Sequence, residues 1–423
     1  MKKIALLIPL VVLYSASAIT AHESCAPTSM QASFWNPILR YTHGLTTTQK
    51  SLIAGITVTS LVAMYCCSQS QEDDLNSVEI PADDNLRMKP ITLNGRYYYS
   101  KNDTHKHIDV KKALRIMLSP TAWIKKIRAL FYPTSATDHI SDANATLQPT
   151  QIVPCYESIE PKIIWIGHAT FLIQINGFNI LTDPIFGDVK VGPMTLTKRA
   201  MTPGITLEDL PPIDVIVISH NHSDHTDTDA LMAISKKYNP TIFVPEGNKS
   251  LFESMGFTHV IENSWWDKEQ IAKNEHTLSV SCLPAYHWSI RFSLGSYRRS
   301  LWSSWMISTD KYNIFFAGDT AYGKHFKQIG AHFPSIDVAL MPIGPTEEGE
   351  NTHQCYHVDA PEAVQAFEDL GARYFVPMHF GTFFLGKNTL EYPIQRLQET
   401  WHNKGLPEDR LLFMQCGKEY TIT

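Results

Sequence analysis

The sequence lacks a disulfide framework: its seven cysteines (Cys25, Cys66, Cys67, Cys155, Cys282, Cys355 and Cys416) include no Cys-x-x-Cys pair. An odd, unpatterned set excludes a disulfide-stapled scaffold and leaves the redox compartment open. Positive charge is also scarce. The formal net charge is -6, and no long basic tract occurs in the C-terminal part, which excludes a phosphate-backbone partner such as nucleic acid. Long apolar runs are missing too, since Ile4 to Tyr14 and Leu52 to Cys67 both fall short of a confident membrane span. What remains is ordinary globular material. Hydrophobic residues make up 43% of the 423 and charged residues 18%, enough for one large domain or two with a substantial core.

The N-terminal third is organised for targeting. Met1-Lys2-Lys3, the apolar run to Tyr14 and the small residues Ala16-Ser17-Ala18 have the layout of a secretory signal. Leu52 to Cys67 reads as a short anchor, or as the signal if translation starts at Met30. Residues 1–70 are therefore expected to form a signal or membrane-anchor segment, and 71–160 a linker with a helical extension. Within that extension, Leu114, Ile116, Met117, Trp123, Ile124, Ile127 and Leu130 alternate with Lys111, Lys112, Arg115, Lys125, Lys126 and Arg128 around Pro120. Such a broken basic amphipathic stretch either lies on an anionic membrane surface or packs on the domain that follows.

That domain, expected over 161–423, centres on His220-Asn221-His222-Ser223-Asp224-His225, directly after the apolar strand Val215-Ile216-Val217-Ile218. Two residues apart in extended backbone, His220 and His222 point the same way and make half of a tetrahedral zinc site. Asp224 and His225 follow the turn, placed for a second ion, and Asp227 caps a helix from Thr228. Three histidines and an aspartate in six residues favour metal ligation over a merely polar loop. Strands are expected at 163–166, 171–175, 178–181, 241–244, 278–283, 314–317, 338–341 and 374–378, with an Asn176-Gly177 hairpin turn and a helix over 360–370 boxed by Asp359 and Glu362. Strands interspersed with helices predict sheets covered by helices. His287, Asp319 and His379 each follow one of these strands, bringing the candidate donors to seven, a full pair of sites.

Trp165-Ile166-Gly167-His168-Ala169-Thr170, Leu181-Thr182-Asp183-Pro184-Ile185-Phe186, Leu210-Pro211-Pro212-Ile213-Asp214, Trp265-Trp266, Phe316-Ala317-Gly318-Asp319-Thr320 and His379-Phe380-Gly381-Thr382-Phe383 extend the pattern. From about Asn94 onward the chain resembles the metallo-β-lactamase-fold hydrolases, and within them the N-acylphosphatidylethanolamine-hydrolysing phospholipase D family. The resemblance implies a mixed α/β (α+β), four-layer αββα sandwich carrying an N-terminal membrane-targeting extension, with its metals at one edge. It implies that His220, His222 and His287 hold one zinc, that Asp224, His225 and His379 hold the other, and that Asp319 bridges the two. Paired zinc ions lower the pKa of a shared water and neutralise charge building on a phosphodiester. Asp224 would accept that water's proton, and His168 and Asp183 would orient ligands.

The chain departs from the family where a Gln-His pair becomes Tyr356-His357. His357 keeps a role as phosphate ligand or general acid, Tyr356 stands where the scissile group is polarised, and residues 345–354 are acidic and polar where the family is aromatic. The expected function is a zinc phosphodiesterase on a phospholipid, at a membrane in the cell envelope, with a homodimer allowed. The alternatives are a lactonase, a soluble phosphodiesterase, or a non-catalytic envelope protein with a relic metal site. Trp265, Trp266, Trp288, Phe383 and Phe384 would suit a greasy substrate or a core. Deleting residues 1–70 is expected to release the protein from membranes in a flotation assay while sparing turnover of a soluble short-chain substrate; continued tight attachment would move the anchor to residues 111–130.

Overall fold

A computed structural model describes residues 88–93, 95–99, 160–192, 194–291, 296–345, 356–385 and 389–423. The expected signal and anchor over 1–70, the basic stretch 111–130, the acidic loop 346–354 and Cys355 lie outside the described residues. Among the described residues, no helix is long and apolar enough to cross a membrane.

Two sheets form the frame. The first holds seven strands in the order β10-β9-β8-β5-β4-β3-β17: β3 Lys162–Gly167, β4 Thr170–Ile175, β5 Phe178–Thr182, β8 Val215–Val217, β9 Thr241–Pro245, β10 Val260–Asn263 and β17 Glu419–Thr421. The second holds six, β11-β12-β13-β14-β15-β16: β11 Lys268–Lys273, β12 His276–Leu283, β13 Ser304–Ser308, β14 Asn313–Phe316, β15 Val338–Pro342 and β16 Tyr374–Met378. Two short hairpins stand apart, β1 Ile91–Leu93 with β2 Arg96–Tyr98 and β6 Val189–Val191 with β7 Met194–Thr197. The first of these falls in the stretch read as linker, and Tyr97 N–H donates to Arg298 O at 2.8 Å.

Alternation along the strands explains why the sheets are covered on both faces. Ile163 and Trp165, Phe171 and Ile173, Phe178 and Ile180, Val215 and Val217 point to the core shared by the sheets. The residues between them, Ile164, Ile166, Leu172, Leu181, Ile216 and Ile218, form a second core on the opposite face. There they meet Leu231 and Ile234 of helix α1 (Thr228–Tyr238) and Phe252 of α2 (Lys249–Ser254). A period of two with both faces apolar is what a covered strand requires. On the second sheet, Phe315 meets Phe326 of α3 (His325–His332), and Phe375 meets Phe367 of α4 (Ala360–Leu370) and Trp401 of α5 (Tyr392–Asn403). The result is the expected αββα layering.

Local signals hold as well. Asp227 caps α1, accepting from the backbone of Asp229 and Ala230, and the Asp359–Glu362 capping box starts α4, which Gly371 ends at φ 66°. Asn176 and Gly177 take φ of 50° and 77°, the left-handed pair of a two-residue hairpin.

Strand direction then places the chemistry. β5, β8 and β9 run parallel, and β3 shares their direction through antiparallel β4. β14, β15 and β16 are parallel, and β12 matches them through antiparallel β13. So the segments leaving β3, β5, β8, β12, β14, β15 and β16 all emerge at the same edges of their sheets. The sheets touch there: Ser303 N–H donates to Ser219 O at 2.8 Å, and Trp305 Nε1 to Ile218 O at 2.8 Å.

Gly318 sits at this seam with φ 57°, and a Cβ there would lie 2.4 Å from Ser219 Cβ. Gly318→Ala combines a left-handed backbone with a clash between the two sheets, so a loss of about 1–3 kcal/mol is expected from denaturant unfolding. Unchanged stability would show that the seam yields freely.

Candidate metal centre

The candidate donors reach the edge on four segments, the loop after β8 and the ends of β12, β14 and β16, and three of the turns at this edge are left-handed without glycine: His168 (φ 54°), Asp183 (φ 33°) and His379 (φ 62°). Such backbone is kept only where the surroundings over-determine it. Here they do. His168 N–H donates to Thr382 Oγ1 at 2.6 Å, Trp165 Nε1 to His168 O at 3.0 Å, and His379 N–H to His168 O at 3.2 Å.

The structure brings all seven proposed donors together. His220 Nε2 lies 2.8 Å from His222 Nδ1, which lies 3.3 Å from His287 Nε2. His225 Nε2 lies 3.2 Å from His379 Nε2, and Asp224 Oδ2 is 3.6 Å and 3.8 Å from those two nitrogens. Asp319 stands between the groups. Its Oδ2 is 3.9 Å from His220, 3.8 Å from His287 and 3.3 Å from His225, and its Oδ1 is 3.1 Å from His379. Zinc–nitrogen bonds of about 2.0–2.1 Å at a tetrahedral angle put ligand atoms roughly 3.3 Å apart, which these separations bracket.

Proton positions favour a cation too. Ser219 Oγ donates to Asp183 Oδ2, so it must accept from His220 Nδ1, 2.8 Å away, leaving His220 Nε2 a bare lone pair. His225 Nδ1 donates to Asp183 Oδ2 at 2.7 Å and His287 Nδ1 to Tyr356 O at 2.8 Å, which aims both Nε2 atoms at the cluster. Burial pushes His220 and His287 well below the usual imidazole range and His222 down to about 4, so these rings are neutral, the form that binds metal. Neutral imidazole lone pairs packed this closely repel unless something positive lies between them. For His225, burial opposes the charge, but the carboxylates of Asp319 and Asp224 and the bond to Asp183 hold its protonated form well above the usual range. The field that keeps a proton on Nε2 would equally hold a metal. Burial works against the Asp319 carboxylate, yet His225, His379 and His357 keep it well below the ordinary range.

His168, Asp183 and His357 surround the donors. His168 Nε2 is 3.3 Å from Asp224 Oδ2, and Asp183 receives His225 and Ser219. His357 lies at the rim: its Nδ1 is 3.6 Å from Asp319 Oδ2, and its side chain is 16% exposed against 2% for Asp319. Tyr356 is buried; its carbonyl orients His287 and its ring packs near Trp288 at 6.1 Å. Sequence reasoning missed that carbonyl and Ser219, because neither a backbone acceptor nor a single serine carries a compositional signal.

The aromatic residues divide. Trp265 is core, donating to Trp302 O, and Trp266 donates to Met88 O. Trp288 packs on His222 at 4.4 Å and Phe383 on His168 at 5.1 Å. Phe384 is 44% exposed.

Purified protein is expected to carry about two divalent cations per chain by elemental analysis, and Asp319→Asn to lose metal and activity together. Asp183→Asn, which weakens the hydrogen bonds behind His220 and His225, should reduce metal affinity by about 10–100-fold. Full metal content in Asp319→Asn would remove the bridging role.

Comparison with known proteins identifies the family. The Beta-lactamase superfamily domain matches residues 178–380. The N-acyl-phosphatidylethanolamine-hydrolyzing phospholipase D 1 of Caenorhabditis elegans is 35% identical over 247 residues, 56% of this chain and 68% of that protein. An uncharacterised Mycobacterium tuberculosis protein is 35% identical over 242 residues, 56% of this chain, and the chain spans only 62% of its length. A possible metal-dependent hydrolase from Veillonella parvula shares the fold at a TM-score of 0.50 and 16% identity, over 62% of this chain and all of that one. With its motifs, its paired sheets and its clustered histidines and aspartates at one edge, the chain belongs to the metallo-β-lactamase-fold hydrolases.

Proposed function

We propose that the protein is a zinc-dependent phosphodiesterase that hydrolyses a phospholipid in the manner of phospholipase D. The observation that carries the reading is the convergence of seven donors in two groups sharing Asp319, beside an apolar cleft that opens at His379. That cleft is lined by Phe383, Phe384, Leu385, Leu390 and Pro393. Its chemistry suits acyl chains, and the worm relative's name describes hydrolysis of such a lipid.

When bound, a pair of zinc ions would supply Lewis acidity and a water of lowered pKa. The chain's own residues do the rest. Asp224, held by His168 and 18% exposed, receives the proton of the attacking water. The water oxygen forms a bond to phosphorus as the bond from phosphorus to the head-group oxygen breaks. His357, beside Asp319 and 16% exposed, protonates that departing oxygen. The burial of the cluster raises the weight of each of these charges by excluding water. Tyr356 stands in place of the family's glutamine and would change how the scissile group is polarised relative to N-acylphosphatidylethanolamine hydrolysis. Substrate would be met at a membrane surface in the cell envelope, to which residues 1–70 bring the domain.

Two assays test this. Incubation with a phospholipid panel should release phosphatidic acid and the head-group alcohol by mass spectrometry; activity confined to lactones or soluble cyclic phosphates would favour the other hydrolase readings. His357→Ala should retain its metal and its melting temperature while losing about 10²–10⁴-fold in turnover. Undiminished turnover would remove His357 from the mechanism.

A further inference from the structure

Thr320 follows Asp319, is buried, and directs its hydroxyl to partners outside the seven donors. Its hydroxyl accepts Tyr286 N–H at 2.9 Å, donates to Ala321 O at 2.9 Å, and lies 3.2 Å from His325 Nε2. Its carbonyl accepts Val358 N–H at 2.8 Å, and Ala321 N–H donates to Tyr286 O at 2.8 Å. These bonds join three segments that no strand ladder joins. Tyr286 precedes His287, Thr320 follows Asp319, and Val358 follows His357.

The hydrogen inventory of the hydroxyl defines the part His325 plays. A hydroxyl has one proton and two lone pairs. Tyr286 N–H only donates and Ala321 O only accepts, so the remaining lone pair faces His325. The Nδ1 of His325 is buried and makes no hydrogen bond. A proton there would be an orphaned donor, costing roughly 1–3 kcal/mol, so the proton belongs on Nε2 and points at Thr320. Burial pushes the ring down to about 3, which keeps it neutral. The same ring packs on Tyr286 at 4.5 Å and 33°, and Tyr286 stacks on Tyr99 at 4.2 Å. Gly323 closes the turn, since a Cβ there would fall 2.2 Å from the Tyr286 ring. His325 therefore holds Thr320 by a hydrogen bond and Tyr286 by stacking.

We propose that Thr320 and His325 form a positioning pair that locks the His287, Asp319 and His357 segments into one spacing, and so sets metal affinity from outside the cluster. The inference rests on the metal reading of the site. If the pair only filled space, isosteric replacements without hydrogen-bonding capacity would be harmless.

The test uses the full-length, metal-stripped protein, with zinc affinity from competition against a chromogenic chelator and melting temperature measured on the same samples. Thr320→Val and His325→Phe keep volume and stacking but lose the bond, and each should weaken zinc binding by about 10–100-fold, as removal of a ligand's supporting hydrogen bond does. Thr320→Ser and His325→Gln, which keep the hydroxyl and a donor, should restore most of the affinity even if their melting temperatures fall. Wild-type zinc affinity in Thr320→Val and His325→Phe would overturn the inference. So would equal losses in Thr320→Ser and Thr320→Val. A wild-type protein that binds no zinc would overturn the metal reading itself and this inference with it.

Discussion

A carboxylate surrounded by imidazoles in the interior is the constraint on which the rest of this structure depends. Asp319 is 2% exposed and faces His220, His225, His287, His357 and His379 within 3.1–3.9 Å. Burying an isolated carboxylate costs several kcal/mol even after relaxation, and packing neutral imidazole lone pairs together adds repulsion. The arrangement is stable only with positive charge inside it, whether protons on His225 and its neighbours or divalent cations. The outer hydrogen bonds decide between these. Ser219 and the Tyr356 carbonyl hold the ring protons of His220 and His287 on the far side, leaving their inner nitrogens as lone pairs, while Asp183 aims the inner nitrogen of His225 at the same carboxylates. That is a preference for metal built into the protein.

The fold meets the constraint by strand direction. Seven segments with separate positions in the chain reach one edge because their strands leave the two sheets there. The left-handed turns at His168, Asp183 and His379 store strain where packing resists it, as expected of a site whose geometry matters more than its stability.

Much of this was legible in the sequence, for reasons that differ by element. The donors could be read because metal ligation restricts residue type and strand ends restrict position, as at His220 and His222 or His287 after Leu283. Helices α1 and α4 announced themselves through the caps at Asp227 and Asp359. β11 did not, because Lys-Glu-Gln-Ile-Ala-Lys is a polar edge strand with little apolar alternation. β13 was hidden by serines that flank a buried Trp-Met-Ile core. The supporting shell was the least visible. A carbonyl at Tyr356, a hydroxyl at Ser219 and a threonine clip at Thr320 act through bonds that composition does not encode. Trp265 and Trp266 could be read as core or as substrate wall until their indole donors were placed on Trp302 and Met88.

The apolar cleft at His379 and the exposed Phe384 adjoin the charged cluster, while Trp288 flanks His222 on another element. The most direct measurement is anomalous diffraction at the zinc edge from crystals of the zinc-loaded protein. Two peaks are predicted, one about 2.0–2.1 Å from His220 Nε2, His222 Nδ1 and His287 Nε2 and the other at the same bond length from His225 Nε2 and His379 Nε2, with Asp319 reaching both. A single peak, or zinc bound away from Asp319, would contradict the account.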